Sequence, residues 1–343
     1  MTLKPLFCIL SLVLYLCAFE AHAHRKTDII HFYNGDKLTG EIVSLLGGIL
    51  KVSTDAMGTV QIEWPEIARM ESEYHYEVRV TNGDRIYGSF SDKARPGQVL
   101  VTDVFARHQL ESLAIVEIRP IEDSWVDRLN IHLSGTYGYT RASGVTQLAF
   151  NTEISYENER SRNTLTGQVD ISDTNEGSTS SKRLNFQRAV WPGNRSDQFR
   201  TGFVNYEDND ELELDYRVAV GGGAGRYFID TNRSRLTGAG GLQVITEKGF
   251  SDGSNEDIEG FLNVSYSTWK FSTPELHVDL NFTLYPSLTD AGRLRSYSNA
   301  RISWEIIEDL SWDITAWATS DNNVEDNVSY WDYSITTGIG WDF

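Results

Sequence analysis

The chain has 343 residues, with 30 Lys+Arg against 49 Asp+Glu and a formal net charge of −19. Such a surplus of carboxylates excludes nucleic acid as a partner, because that binding is driven by cations neutralising phosphates. The acidity is uneven: His24 to Pro120 carries 11 basic and 14 acidic residues, a net of −3, whereas Ile121 to Phe343 carries 18 and 34, a net of −16. A mean hydropathy below zero suits a soluble protein and equally a transmembrane barrel with a polar lumen, but Trp and Tyr concentrate after residue 120, as barrel girdles require.

The first 23 residues have the form of an export signal. Lys4 precedes an apolar run from Leu6 to Phe19 broken only by Ser11, and Ala21-His22-Ala23 gives the small-x-small pattern that places cleavage after Ala23. The run is shorter than the roughly 20 residues a spanning helix needs. Both cysteines, Cys8 and Cys17, fall inside it, so the mature chain is expected to have neither disulfide nor thiol chemistry. Leu16 argues against lipidation of Cys17, since a small residue should precede the lipidated cysteine.

Residues 24–120 read as a periplasmic β-rich domain built from a duplicated unit. Asn34-Gly35-Asp36-Lys37-Leu38-Thr39-Gly40-Glu41-Ile42 recurs 48 positions later as Asn82-Gly83-Asp84-Arg85-Ile86-Tyr87-Gly88-Ser89-Phe90. Each copy follows a short strand pattern, so Asn-Gly marks a tight hairpin turn. The glycines are ascribed to turn geometry. Ile49 to Thr54 aligns with Val99 to Thr102, and Pro65 to Met70 with Leu113 to Ile118. Each copy is expected to be a four- or five-stranded unit of the Sm-like or SH3-like class. RNA binding is set aside because no aromatic platform sits among basic residues; packing and partner contact are the expected use.

From Leu129 onward the alternation has period two, which predicts a twelve-stranded antiparallel transmembrane β-barrel over 121–343. The clearest stretches are Leu129 to Arg141, Leu212 to Val220, Leu236 to Thr246, Ile258 to Thr268, Leu276 to Leu284 and Leu294 to Ile306; Leu148 to Tyr156, Leu165 to Ile171, Leu184 to Val190, Phe199 to Tyr206 and Leu310 to Ala318 are weaker. The closing strand makes twelve, and an even number returns both ends to the periplasm. Connections alternate between compact ones, such as Asp230 to Arg233, and longer acidic ones, such as Asp173 to Ser181 and Lys248 to Asp257. The residues out of phase with the apolar face are predicted to line the lumen: Glu153, Asp170, Arg183, Glu211, Glu213, Asp215, Arg217, Asp279, Arg293, Arg295, Arg301 and Glu305. Arg188 is the exception, falling in phase with Phe186 and Val190.

The closing stretch, Trp331 to Phe343, alternates aromatic or apolar with polar residues at every odd position except Thr337. Thr336, Gly338, Trp341 and Phe343 resemble the terminal signal by which the outer-membrane barrel-assembly machinery recognises its substrates. With the export signal, the Asn-Gly-Asp-x-Leu-x-Gly-Glu-Ile opening, Trp64 ahead of the Ile67 strand and a barrel-like second half, the chain resembles the YdiY-like salt-induced outer-membrane protein family (domain of unknown function 481). That resemblance implies an outer-membrane location and a barrel, and no established reaction or substrate.

Candidate chemistry is sparse. His132 and Ser134 share a strand face, and a His-x-Ser pair resembles the site of outer-membrane lipid A deacylases, but the sequence places no acid beside it. Gly221-Gly222-Gly223-Ala224-Gly225 lacks the Lys-Ser/Thr of a phosphate loop and predicts a roomy or sharply coiled barrel wall, matched by Gly238-Ala239-Gly240-Gly241. Acidic stretches at Glu207 to Glu211 and Asp321 to Asp326 supply oxygen ligands suited to weak surface Mg²⁺ or Ca²⁺ bridging to lipopolysaccharide, without a complete calcium-loop spacing. The expectation is a monomeric barrel without catalytic residues, cofactor or dedicated metal, partnered by outer-membrane lipid. Its expected role is structural or selective small-solute passage, the alternatives being a lipid hydrolase or a binding module anchored by the barrel.

Overall fold

In the computed structural model the residues described are 26–121, 128–140, 145–158, 160–174, 177–192, 197–210, 214–250, 253–271, 274–307, 310–322 and 330–341. The export signal, Glu211, Glu213 and Phe343 therefore lie outside them. No described helix is long and apolar enough to cross a membrane. The N-terminal sheet contains β1 (Asp28–Phe32), β2 (Lys37–Leu46), β3 (Ile49–Thr54), β4 (Gly58–Glu63), β5 (Ile67–Val80), β6 (Arg85–Phe90), β7 (Gln98–Thr102), β8 (Arg107–Glu111) and β9 (Ile115–Pro120). Single 3-10 turns, Trp64–Glu66 and Ser112–Ala114, precede β5 and β9 at equivalent places in the two copies. The first part of β5 pairs with β1 (Met70 with Ile30), while its second part pairs with β6 and β9 (Val78 with Ile86 and with Ile118). One strand thus ends the first copy and begins the second within a single nine-stranded, barrel-like sheet, each copy counting five strands with β5 shared.

Both copies share one apolar core, from Ile30, Ile42 and Trp64 to Tyr76, Val101 and Ile118. Asp28 is fully buried in it and accepts hydrogen bonds from the Ile42 amide (2.7 Å), the Ser72 hydroxyl (2.5 Å) and the Tyr76 hydroxyl (2.7 Å). Such partners are what make a buried carboxylate tolerable. Burial, then the Asp28 charge, holds the Tyr76 phenol far above its ordinary range. The repeat turns match in detail: Asn34 and Asn82 each accept from the amide of the Asp two residues on, at 2.9 Å, and Gly35 and Gly83 have φ of +93° and +84°. Turn geometry does not account for Gly40 and Gly88. A Cβ on Gly40 would meet Val52 Cγ1 at 2.5 Å, and one on Gly88 would meet the Thr102 carbonyl carbon at 2.7 Å, so close strand approach fixes both.

The second sheet is a twelve-stranded antiparallel meander: β10 (Leu129–Thr140), β11 (Val145–Asn158), β12 (Ser161–Thr174), β13 (Gly177–Val190), β14 (Gln198–Asn209), β15 (Leu214–Asp230), β16 (Ser234–Gly249), β17 (Ser254–Lys270), β18 (Leu276–Pro286), β19 (Leu294–Ile307), β20 (Leu310–Asp321) and β21 (Trp331–Trp341). It curls until β13 and β21 line one cavity, and among the described residues no ladder joins β10 to β21. Several strands outrun their apolar alternation. Asp173 pairs with Ser178 and Lys248 with Ser254, so two expected loops are largely strand. Backbone pairing continues past the apolar band because it needs no side-chain pattern.

Candidate functional site

The alternation sorts the side chains onto two faces. Leu133, Tyr137, Leu184, Phe186, Val204, Val220, Leu242, Leu262, Leu280 and Phe282 are exposed on the outer face. Aromatic rings gather at both ends of that face: Tyr137, Tyr139, Tyr206, Trp331 and Tyr333 far from the N-terminal domain, and Phe228, Trp304 and Trp312 near it. The inner face carries the predicted charges, mostly paired. Arg183 and Arg217 share Glu207 at 3.1 and 3.3 Å, and Arg217 also reaches Glu247 at 2.9 Å. Arg295 grips Glu259 with two bonds of 2.8 and 2.7 Å, a fork geometry suited to guanidinium, and lies over the Tyr285 ring. Asp170 accepts from Gln168 at 2.8 Å, and Asp279 contacts His277 at 2.9 Å and is the register partner of Arg301.

Other predicted charges lie at strand ends. Arg293 pairs with Asp321 at 2.7 Å, Asp215 takes Lys248 at 2.8 Å beside a bulge, and Glu305 accepts the Glu275 amide at 2.7 Å. The register also places Arg188 on the outer face, in phase with Leu184 and Phe186. On β21, Thr336 and Gly338 face inward and Thr337 outward, where it accepts from the Trp312 indole at 2.6 Å. Trp341 ends the strand opposite Leu310.

A cavity of about 940 Å³ occupies the far end of the lumen. Its charged lining balances, with Arg183, Arg217 and Arg295 against Glu207, Asp321 and Asp332. Asn205, Gln243, Tyr297 and Trp317 add amides and aromatic faces. Most of these charges already have partners, so the cup offers polar contacts without a net field. The acidic stretch at Glu207 to Asp210 is likewise engaged: Asp208 pairs with Lys182 at 3.0 Å and Asp210 accepts from the Ser180 hydroxyl at 2.9 Å. Among the described residues no group of three or more His, Cys, Asp or Glu is placed to hold a metal ion.

Below the cup, aromatic rings line the inner wall. Phe203 and Phe261 meet edge to face with centroids 5.7 Å apart, and Phe199 lies 5.4 Å from Tyr227. The glycine runs make room for these rings. A Cβ on Gly223 would strike Phe261 Cζ at 2.8 Å, one on Gly241 would strike Phe261 Cε1 at 2.7 Å, and one on Gly225 would strike Phe199 Cε1 at 2.8 Å. The glycine wall is therefore filled by aromatics, which corrects the roomy alternative, while the two glycine runs do pair with each other as expected, Gly223 opposite Gly241. Composition showed both partners but not their pairing, because the rings come from β14 and β17.

At the near end, the N-terminal domain seats on the mouth. Arg79, almost fully buried, bridges Glu117 of its own domain at 2.5 Å and Asp230 at the end of β15. Its guanidinium and that of Arg235 lie over the Tyr227 ring at 5.6 and 5.5 Å, and Arg85 and Arg162 flank Trp191 in the same way. Arg119 joins Glu117 to Glu157 of β11. Burial would raise the Glu117 carboxyl, but Arg119 and Arg79 outweigh it and bring it down to about 2. Gly48, at φ +76°, fits against the Asn232 carbonyl and the Trp269 indole, which themselves hydrogen-bond at 2.5 Å. No sequence signal marked this clasp, since Arg79 and Asp230 are 151 positions apart.

His132 and Ser134 line a second cavity, of about 520 Å³. The register sets Glu153 directly opposite His132 and Asn151 opposite Ser134, supplying the acid that sequence alone could not place. A curled twelve-strand antiparallel sheet with a polar inner face, an apolar outer face and a clasped mouth defines an all-β, barrel-like protein. The chain belongs to a family of proteins of unknown function, DUF481, which matches residues 136–343. The Asn-Gly-Asp opening lies outside that match. Comparison with curated proteins and with solved structures finds no match.

Proposed function

We propose that this chain is an outer-membrane β-barrel that admits a small, uncharged polar solute into its far cup, while a periplasmic domain holds its near mouth. The observation that carries the reading is the separation of faces: exposed aliphatic residues outside with aromatic rings at both ends, charges and amides inside. A charge on the lipid face costs about 2–4 kcal/mol at mid-membrane, so this phasing suits a bilayer. Thr336 and Gly338, with Trp341 and Phe343 after them, are suited to recognition by the barrel-assembly machinery, and the outer rim is suited to lipopolysaccharide. Outer-membrane fractionation tests the location, and planar-bilayer conductance tests passage. A protein that enters bilayers yet carries no current at any voltage would leave a structural role only.

The His132–Glu153 register favours one second reading, ester hydrolysis with Ser134 as nucleophile and His132 as base. Unchanged lipid hydrolysis in outer-membrane vesicles after His132→Ala and Ser134→Ala would sink it.

A further inference from the structure

The outer face carries a second arginine pattern, and it is unlike the lumen's. Arg188 on β13, Arg200 on β14 and Arg226 on β15 all point outward and are exposed. The register links them. Arg188 is opposite Gly202; Arg200, two residues from Gly202, is opposite Val190 and Ala224; Arg226, two residues beyond Ala224, is opposite Gln198. Consecutive arginines are thus diagonal cross-strand neighbours, about 7–8 Å apart by general sheet geometry. Their strand positions put them at the near end, beside the exposed Phe186 and Phe228, while Leu184, Val204 and Val220 continue the apolar face beyond them.

Inside the lumen, arginines are matched with carboxylates. Outside, among the described residues, Arg188 and Arg200 pair with none, and only Arg226 touches an acid, Asp197 at 3.3 Å. The same half of the chain holds 34 acidic residues, so partners were not scarce. Three guanidinium groups in a row on an apolar, aromatic-flanked face call for an anion that comes with hydrocarbon attached. Guanidinium matches phosphate with two parallel hydrogen bonds, and basic clusters at a membrane surface draw acidic lipids.

We propose that Arg188, Arg200 and Arg226 bind the phosphate of an acidic glycerophospholipid in the leaflet beside the N-terminal domain. The site rests on the membrane reading above and adds a ligand to it. Native mass spectrometry of the full chain released from detergent, with phosphatidylglycerol or phosphatidylcholine added, reads the binding directly. Phosphatidylglycerol should be retained preferentially, and each Arg→Gln change at the three positions should weaken retention by about fivefold, the size of one surface charge. The R188K/R200K/R226K variant, which keeps charge but loses the planar fork, should fall between wild type and the triple Gln variant. Equal retention of the two lipids by the wild-type chain would overturn the proposal whether or not the variants fold. Displacement of the lipid by inorganic phosphate would overturn it in favour of a free-anion site. Liposome flotation separates the two levels: a chain that does not float removes the membrane reading itself, and one that floats without lipid preference removes only this site.

Discussion

Glu117 shows how a single carboxylate ties two parts of the chain together. Its protonation sits at about 2, against an ordinary value of 4.5, because Arg119 and Arg79 outweigh the effect of burial. A depressed carboxylate contributes stability that is complete above its unfolded value and is lost as pH falls through its folded one. The clasp should therefore weaken from about pH 4.5 down to about 2, seen as a falling guanidinium midpoint, and Glu117→Gln should flatten that slope. Arg79→Ala is the harsher change. It removes the cation that Glu117 and Asp230 share; Arg119 and Arg235 stay beside them, so the loss should fall below the roughly 3–5 kcal/mol of a fully orphaned buried charge. Chemical denaturation of the variant should show that loss. Gly88→Val belongs to the same scale: its side chain would collide with the Thr102 backbone, and overpacking of this kind costs about 1–3 kcal/mol, readable as a lower melting temperature.

Among elements, what could be read from sequence was what is local. The Asn34 and Asn82 turns were legible because each is closed by its own Asp two residues on, and the strand phases were legible because period two survives in β10, β17 and β19. The extent of β15 was not, since nothing in Gly221 to Gly225 alternates. The rings of Phe199, Phe203 and Phe261, together with the close backbone of the facing strands, explain those glycines, and which atoms face them depends on register. The distal cup was half legible: Arg183, Arg217 and Arg295 were named from phase, but Glu207 and Asp321 read as loop acids, and Asn205, Tyr297 and Trp317 carried no signal distinguishing them from other inward residues. The ring packing also makes a functional prediction. If solute passes along this wall, Phe203→Ala with Phe261→Ala should raise single-channel conductance several-fold relative to wild type, because ring volume is removed where β14 and β17 side chains meet. Unchanged conductance would show that the current path avoids this wall.

At the scale of the whole molecule, the N-terminal domain covers the mouth through strand ends and turns from β11 to β17, using Glu157, Trp191, Asp197, Asp230, Asn232 and Trp269. The two copies divide the work. Gly83 of the second Asn-Gly turn lies against Asp197, whereas the equivalent Gly35 meets nothing within 4 Å. Duplication thus left one turn free while its twin became a contact. Loosening the clasp with Arg79→Ala should change the voltage dependence of any current more than its open-state size, since the cup and the packed rings lie beyond the domain.

The duplication also has a consequence for how the domain holds together. Asp28 and Tyr76 are equivalent residues, 48 apart, and hydrogen-bond each other; Trp64 and Ser112 are likewise equivalent, and the Trp64 indole donates to the Ser112 carbonyl at 2.7 Å. Residues meet their own counterparts in this way beside a two-fold axis. The domain is in effect a homodimer fused into one chain, with β5 as the seam that both halves need. Neither half has a finished edge, so the smallest piece that can fold is the pair.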